Sequence, residues 1–388
     1  MFGFRILVVV SLAASLLMIG VGMTVALLPR RVLDLSGSLQ DVGYLASVFA
    51  LSYLLLLLPL GRLADRLGAW AFLVLGYLLC CVSGLVFFRS GSPEDIFLGR
   101  FIQGAGEAPV WALGPALLSL AYPQAKGRAI GIYNAAIHSG LALGPLLGVL
   151  LLSAEAAGLP FLVFAALCLC GGATVLLFLP RRTAASGVAV GAAPGLRELA
   201  GLLRLRGPAL TLCGTLLYGA GYGVFISVLP ASLTLSKGFD ALSTGLFFTL
   251  FYVAISVAQL VAGPLSDRRG RQATMIAGLV MAAVGFASFA PFGSPWVYAP
   301  LTLASLGLGV FCVASLADLA DRAPDALRAS VSGAYYLAWG LGYFLGPLLV
   351  AQLGERAHPQ AGYHLLALLM VLQAGLLCLV RVAERRRE

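Results

Sequence analysis

Long apolar runs follow one another along almost the whole chain, interrupted by short polar segments and by breaks rich in glycine or proline. A helix needs about 20 mostly apolar residues to cross a bilayer, and it satisfies its own backbone hydrogen bonds in lipid. We therefore expect an all-α integral membrane protein with twelve transmembrane helices. The predicted spans are residues 6–29, 42–60, 70–88, 96–121, 129–153, 159–179, 209–232, 242–262, 273–291, 296–317, 329–353 and 361–380.

Two sequence patterns occur twice, each time 202 residues apart. The first consists of Gly61, Asp65 and Gly68, which recur as Gly263, Asp267 and Gly270. The second consists of Gly131, Gly140, Gly144 and Pro145, which recur as Gly333, Gly342, Gly346 and Pro347. A constant offset for two separate patterns predicts a tandem duplication with structurally related halves. We expect domains at residues 1–180 and 209–388, joined by a linker at residues 181–208.

These patterns resemble three motifs of the major facilitator superfamily of transporters. The family carries G-x-x-x-D-[RK]-x-G between its second and third helices, and a weaker copy between the eighth and ninth. Its fourth-helix motif R-x2-Q-G-x-G is matched by Arg100, Gln103, Gly104 and Gly106. Its fifth-helix exporter motif is matched by Gly131, Gly140, Gly144, Pro145 and Gly148. The resemblance is greatest to the twelve-helix drug:proton antiporter branch, and it implies two pseudo-symmetric six-helix bundles.

Composition and charge agree with a membrane protein. The chain is 60% hydrophobic and only 11% charged, with a mean hydropathy of +0.98, which excludes an ordinary soluble domain. The net charge of +9 follows topology rather than nucleic-acid binding. With both termini and the linker in the cytoplasm, most Lys and Arg residues become cytoplasmic, as the positive-inside rule requires. The basic residues left outside are Arg30, Arg31, Arg89, Arg100, Lys237 and Arg356.

We therefore expect an integral protein of the cell (inner or plasma) membrane, with the lipid bilayer around it. The first apolar run is too long for the core of a signal peptide, so we expect it to remain as a span. All seven cysteines lie inside predicted spans, and no histidine is close to the Cys168-x-Cys170 pair. We expect small apolar packing there rather than a metal site or a disulfide, and we expect no cofactor.

The two repeated loops are candidate gating elements. The resemblance implies a latch in which the aspartate meets the N-terminal end of a helix, where exposed N–H groups favour an anion. A solvated hairpin turn is the alternative. The residues of the two loops are Gly61, Asp65, Arg66, Gly68, Gly263, Asp267, Arg268, Gly270 and Arg271.

The fourth span carries the candidate proton-coupling residues. Glu107 lies about 17 Å into this span, near the bilayer centre, and Arg100 is seven residues earlier on the same face. The two are about 10.5 Å apart along the helix, so we expect water or His138 of the fifth span to bridge them. Charges at this depth are costly and usually functional. A silent structural ion pair is the alternative.

Polar and aromatic side chains at mid-depth predict a cavity for an amphipathic or aromatic solute. An ordinary packing stripe remains the alternative. The candidates are Asn134, Tyr218, Tyr222, Tyr252, Gln259, Tyr336 and Trp339. At the cytoplasmic end of span ten, we expect Asp318 and Asp321 to form salt bridges with Arg322 or Arg328.

The combined reading is a monomeric, alternating-access transporter that exports small lipophilic or amphipathic compounds with proton coupling. The first span holds no acid, unlike many proton-coupled exporters of this family. A facilitator or symporter for a lysolipid, sugar or organic anion therefore stays open. A receptor or intramembrane enzyme is a third reading, but no Ser/His/Asp set or metal triad at matching depth supports it, and we expect no enzyme.

Overall fold

A computed structural model describes residues 2–122, 124, 126–152, 158–180, 196–322 and 328–385. In these ranges the secondary structure consists of α-helices and their connections, without strands. The helices are α1 (Phe2–Ser36), α2 (Leu39–Leu67), α3 (Ala69–Arg89), α4 (Pro93–Ala121), α5 (Lys126–Leu151), α6 (Leu159–Phe178), α7 (Leu196–Arg204), α8 (Arg206–Ile226), α9 (Val228–Lys237), α10 (Ala241–Arg269), α11 (Arg271–Ser288), α12 (Tyr298–Arg322), α13 (Arg328–Arg356) and α14 (Ala361–Arg385).

Eleven helices within the described ranges are long and apolar enough to cross a membrane. The remaining predicted span is the fourth in the chain, and it corresponds to α4. This helix has 29 residues and is about 44 Å long at 1.5 Å per residue. Over the length of a membrane span, helix α4 is less hydrophobic than those eleven helices because polar residues, among them Arg100, Gln103 and Glu107, interrupt its apolar sequence. The expected all-α membrane fold is confirmed, and its one unusually polar span is the helix that carries the candidate proton site.

Local sequence signals explain where several helices begin and turn. At the start of α4, the Ser92 hydroxyl accepts from the Asp95 N–H, and the Asp95 carboxylate accepts from the backbone N–H groups of Gly91 and Ser92. These hydrogen bonds, led by the one from Gly91, lower the pKa of Asp95. Gly68 and Gly270, which are equivalent in the duplication, have φ of 89° and 91°, a conformation that glycine adopts without strain.

Close packing within the chain separates two units. Unit 1 comprises Met1–Ala193 and Phe239–Thr249, and unit 2 comprises Pro194–Gly238 and Leu250–Glu388. In unit 1, α1 lies against α5 and α6, and α4 lies against α2 and α3. In unit 2, α8 lies against α12 and α13, and α11 lies against α12 and α14.

The predicted seventh span is not one continuous helix. It breaks at Ser227, which has φ −132° and ψ −81°, so α8 ends at Ile226 and α9 begins at Val228. The buried Ser227 hydroxyl donates to the Gly223 carbonyl oxygen at 2.7 Å, which satisfies one of the carbonyl groups left free at the end of α8.

The C-terminal part of the predicted linker forms the amphipathic helix α7, and protein covers its apolar face. Leu202 is fully buried, and Leu199 packs beside it. Their partners come from α8, α12 and α13, namely Leu212, Leu319, Val331, Ala334 and Tyr335. The end of the linker is therefore a docked part of unit 2, whereas residues 181–195 lie outside the described residues.

Candidate functional site

Four side chains on one face of α4 form a continuous hydrogen-bonded row, here called the α4 polar chain. Arg100 Nη1 donates to Gln103 Oε1 at 3.0 Å, and Gln103 Nε2 donates to Glu107 Oε1 at 2.9 Å. Trp111 Nε1 then donates to the other carboxylate oxygen, Glu107 Oε2, at 3.1 Å. Spacings of three and four residues bring these side chains together on a helix.

Helix α2 holds the far end of the α4 polar chain. Arg100 Nε donates to the Leu45 carbonyl oxygen at 3.0 Å, and its guanidinium carbon lies 4.5 Å from the centre of the Phe49 ring. A cation over an aromatic face is attracted by the ring quadrupole, most strongly where water is excluded. Arg100 and Glu107 are each 3% exposed, and Gln103 is fully buried.

The Gln103 amide bridges Arg100 and Glu107, in the place where we expected water or His138. His138 instead makes its described hydrogen bond to the Asn134 carbonyl oxygen, 2.9 Å from Nδ1 and one turn earlier on α5. The row of side chains from Arg100 to Trp111 is thus complete without a residue from α5.

The α4 polar chain is electrostatically suited to a carboxylate. Both oxygens of Glu107 face N–H donors, and the positive charge of Arg100 is one amide away. Hydrogen bonds to an ionised group are roughly twice as strong as neutral ones, and they gain further strength in a low-dielectric interior. A buried, hydrogen-bonded acid of this kind can hold a charge within a membrane span and bind or release a proton.

Unit 2 contains an aromatic cluster centred on Tyr222. The ring centre of Tyr222 lies 6.2 Å from Tyr218, 5.2 Å from Phe251, 5.8 Å from Trp339 and 6.1 Å from Tyr343. Three of these pairs are edge-to-face and the fourth, with Tyr343, is tilted; aromatic quadrupoles favour such geometries over a face-to-face sandwich. The cluster brings together three predicted cavity residues from α8 and α13, and adds Phe251 and Tyr343.

The other predicted cavity residues lie elsewhere. Gln259 Nε2 donates to Cys312 Sγ at 3.8 Å, and the ring of Tyr336 stacks edge-on against Tyr335. Tyr252 is buried with its ring centre 5.0 Å from that of Phe251, at the margin of the aromatic cluster. Asn134 belongs to unit 1 and is exposed.

The charged side chains of the gating loops are described only in the second copy. The side chains of Asp65 and Arg66, and the environment of Gly61, lie outside the described residues. In the second copy, Arg271 pairs with Asp267 one turn earlier and with Asp321 of α12, the latter at 3.0 Å.

Of the two acids at the end of span ten, Asp318 pairs with Arg322 as expected. The two atoms Asp318 Oδ1 and Arg322 Nε are 2.8 Å apart, and Thr211 donates to the other carboxylate oxygen at 2.7 Å. Asp321 pairs with Arg271, because the loop after α10 brings Arg271 beside the end of α12. The side chain of Arg328, the other arginine expected near these acids, lies outside the described residues.

The glycines of the fifth-helix motif face α1 within unit 1. A Cβ at Gly144 would overlap the Ile19 carbonyl oxygen, and Gly140 and Gly148 approach the same helix closely. In the second copy, Gly342 and Gly346 approach α8 in the same way, and Pro347 lies beside Gly223; Gly333 is buried in α13. Nothing lies within 4 Å of a Cβ at Gly131 or Gly263.

Sequence reasoning missed two members of the site. Gln103 was noted only as a motif residue, and Trp111 was not singled out. The signal was present, since Arg100, Gln103, Glu107 and Trp111 follow one another at helical spacing. Phe49 and Leu45 carried no such signal, because their role depends on how α2 packs against α4.

Comparison with known sequences identifies relatives along the whole chain. The profile of the Major Facilitator Superfamily matches residues 10–212 and 210–388. A puromycin resistance protein, pur8, of Streptomyces alboniger is 30% identical over 383 residues, covering 96% of this chain and 67% of that protein. The class C tetracycline resistance protein of Escherichia coli is 24% identical over 355 residues, covering 89% and 88%.

Solved structures share the fold. The nucleoside transporter NupG superposes with a TM-score of 0.76 at 16% identity, covering 96% of this chain and 98% of that one. The human organic anion transporter MFSD10 superposes with a TM-score of 0.70 at 21% identity, covering 97% and 99%. Family profile and fold agree with the motifs and with the row of membrane-spanning helices. This chain belongs to the Major Facilitator Superfamily and is an integral membrane transporter rather than an enzyme.

Proposed function

We propose that this transporter exports small lipophilic or amphipathic compounds in exchange for protons. The observation that carries the proposal is Glu107, a buried acid inside a membrane span that is linked by hydrogen bonds to Arg100. Ionisable side chains in such a position are costly and usually mark an ion or substrate pathway. Glu107 would take up a proton on one side of the membrane and release it on the other, as alternating access exposes the site in turn.

Export is supported by the names of the relatives, which are resistance proteins for puromycin and tetracycline. Removal of a compound from the cell is the way in which a transporter confers resistance. The aromatic cluster suits the apolar or aromatic part of such a compound, because its rings offer large faces and, in the tyrosines and Trp339, a polar group. Tyr218, Tyr222 and Trp339 are therefore our candidates for substrate contacts.

The proposed orientation places both termini and residues 181–208 in the cytoplasm, and the protein in the cell (inner or plasma) membrane. The arginine distribution supports it. Single-cysteine labelling at position 186, in a cysteine-free background, tests it with an impermeant reagent. Labelling from outside intact cells would contradict the orientation.

Flux measurements in proteoliposomes test the proposed reaction. Wild-type protein should accumulate puromycin, tetracycline or a lipophilic cationic dye against its gradient when a pH gradient is imposed. Glu107→Gln should reduce this accumulation at least ~10-fold, equivalent to about 1.4 kcal/mol, while exchange without a gradient continues. The matched control is Glu94→Gln, an exposed acid on the same helix, which should behave as wild type.

Two outcomes would redirect the proposal. Uphill transport at wild-type rates by Glu107→Gln would make this residue structural. Flux that ignores the pH gradient would favour a facilitator or a symporter driven by another ion, the reading that the acid-free first span leaves open. The proposed latch at Asp65 and Asp267 rests on the family resemblance, because the ion pair between Asp267 and Arg271 is a local contact one turn apart. Spin-label distances between the cytoplasmic ends of the helices in Asp65→Asn test the latch separately.

A further inference from the structure

The direction of each hydrogen bond in the α4 polar chain is determined by its end groups. Arginine and the tryptophan indole can only donate hydrogen bonds. The Gln103 amide oxygen must therefore face Arg100, which leaves the amide NH2 group facing Glu107. Trp111 donates from the other side. The arrangement gives each oxygen of an ionised Glu107 one donor, and its members provide no acceptor for a carboxylic O–H.

The helices packed against α4 do not supply that acceptor in the described contacts. On α3, the thiol of Cys80 faces the site and makes a weak contact of 3.9 Å to the Gln103 carbonyl oxygen. On α5, Tyr133 donates to the Val110 carbonyl oxygen, and His138 bonds within its own helix. On α2, Leu45 and Phe49 face Arg100. The charged groups of α1 are engaged elsewhere, namely Arg5 with Phe178, Arg31 with Ser90, and Arg30 with Asp34.

Protonation of Glu107 therefore creates a conflict next to Gln103. A proton from the aqueous phase forms one new O–H bond at a carboxyl oxygen, and that O–H then points at another donor. A half-turn of the Gln103 amide about its last torsion presents the amide oxygen to the acid. The same turn places the amide NH2 group against Arg100, which cannot accept a hydrogen bond.

We propose that Gln103 is a positioning residue that links Arg100 to the protonation of Glu107, by turning its amide when the carboxylate binds a proton. The inference rests on the proposed role of Glu107 as the proton-binding group. In the ionised state, Arg100 is held by both α4 and α2. In the protonated state it loses the Gln103 amide oxygen and keeps the Leu45 carbonyl and the Phe49 ring, so a proton removes a hydrogen bond from the residue that joins α4 to α2.

Infrared pH-difference spectra of the full chain in nanodiscs test the link. The carboxylic C=O band of Glu107 is identified by its loss in Glu107→Gln, and its growth with falling pH gives a midpoint. Gln103→Met removes a donor to the carboxylate, so we expect the midpoint to rise by about one to two pH units. Gln103→Asn is too short to join both neighbours and should act in the same direction, should the Met variant fold poorly.

A matched control is Gln373→Met, which changes another buried glutamine whose Nε2 donates to the Leu210 carbonyl oxygen in unit 2. It should leave the Glu107 midpoint where it is in wild type. A general loss of packing would shift the midpoint in both variants and would contradict a specific role for Gln103.

A double-mutant cycle separates the amide link from the bare charge of Arg100. Arg100→Lys keeps the charge but lacks the guanidinium geometry that reaches Gln103 and Leu45 together. We expect it to shift the midpoint in the wild-type background and to leave it unchanged in the Gln103→Met background. Equal shifts in both backgrounds would overturn the link.

The inference and the proposed function fail separately. Uphill transport that depends on Glu107, with an unchanged midpoint in both Gln103 variants, would overturn the inference alone. A midpoint that responds to Gln103 as expected, in a protein whose transport ignores the pH gradient, would overturn the proposed coupling and leave the link standing. No carboxylic band from Glu107 at any accessible pH would overturn both.

Discussion

Helices α4 of unit 1 and α12 of unit 2 occupy equivalent places in the duplication, yet they use their buried positions in opposite ways. The polar residues of α4 are Arg100, Gln103 and Glu107. The residues 202 positions later are Thr302, Ser305 and Gly309. In α12 the hydroxyl of Ser305 donates to its own helix, at the Leu301 carbonyl oxygen. Position 309, equivalent to the acid, has no side chain.

The reason for this difference lies in helix packing. A Cβ at Gly309 would lie 2.8 Å from both the Ile255 carbonyl oxygen and the Ala258 Cβ, so α12 approaches α10 too closely for a larger residue. At this position unit 1 has a charged side chain, Glu107, whereas unit 2 has a glycine that allows two helices to pack closely. The aromatic cluster of unit 2 holds the residues that we propose to contact substrate. Duplicated backbones thus hold different chemistry, with charge in one unit and aromatic surface in the other.

The largest expected effect separates these two chemistries. Tyr222→Ala and Trp339→Ala should each weaken binding of an aromatic substrate about 3–10-fold, because each removes ring contacts worth about 0.5–1.5 kcal/mol. Neither should abolish proton-driven accumulation at saturating substrate. Glu107→Gln should retain substrate binding and reduce proton-driven accumulation. Equilibrium binding and proteoliposome accumulation, measured on the same samples, decide between them. Loss of proton-driven accumulation in the aromatic variants would contradict the assignment of substrate binding to unit 2 and proton coupling to unit 1.

A second variant tests the packing in α12. Gly309→Leu should destabilise the protein by about 1–3 kcal/mol, because the side chain forces α10 and α12 apart. Gly375→Leu, on α14, is a matched control, since nothing lies within 4 Å of a Cβ there. Thermal unfolding in detergent measures both. Equal transition temperatures for the two variants would show that close contact is not what excludes a side chain at position 309.

The two glycine turns are the feature that both halves share. Gly68→Ala and Gly270→Ala should each cost about 1–2 kcal/mol, because both positions require a positive φ. The expected losses in unfolding temperature are equal. A lower unfolding temperature in only one of the two variants would show that the two turns differ in the backbone conformation that they require.

The smallest expected effect concerns the start of α4, and it depends on pH. The pKa of Asp95 lies below its ordinary value of 3.8 because backbone N–H groups bind the carboxylate. A lowered pKa means that the stabilisation is fully present above the ordinary value and is lost as pH falls through the folded-state value. The unfolding temperature of wild type should exceed that of Asp95→Asn at neutral pH, and the gap should shrink below pH ~4. A constant gap across this range would exclude a role for the carboxylate charge.

Much of this protein is determined by local sequence. The spans follow from runs of apolar residues, because a bilayer demands both length and hydrophobicity. The duplication follows from the spacing of Asp65 and Asp267. Glu107 and Arg100 stand out because a charge in such a run is rare and expensive. Even the order of the α4 polar chain is contained in the helical spacing of its members.

Other features were decided only by how helices pack. Tyr222, rather than Tyr336, became the centre of an aromatic cluster because α8, α10 and α13 meet there. Asp321 of α12 pairs with Arg271 of α11, and Leu202 of α7 is buried against residues of α8, α12 and α13. In each case the partners are distant in sequence, and apolar periodicity reports which face of a helix is buried but not which helix covers it. The bridge at Gln103 combines both sources, since spacing aligns the three side chains and α2 holds Arg100 in place to meet them.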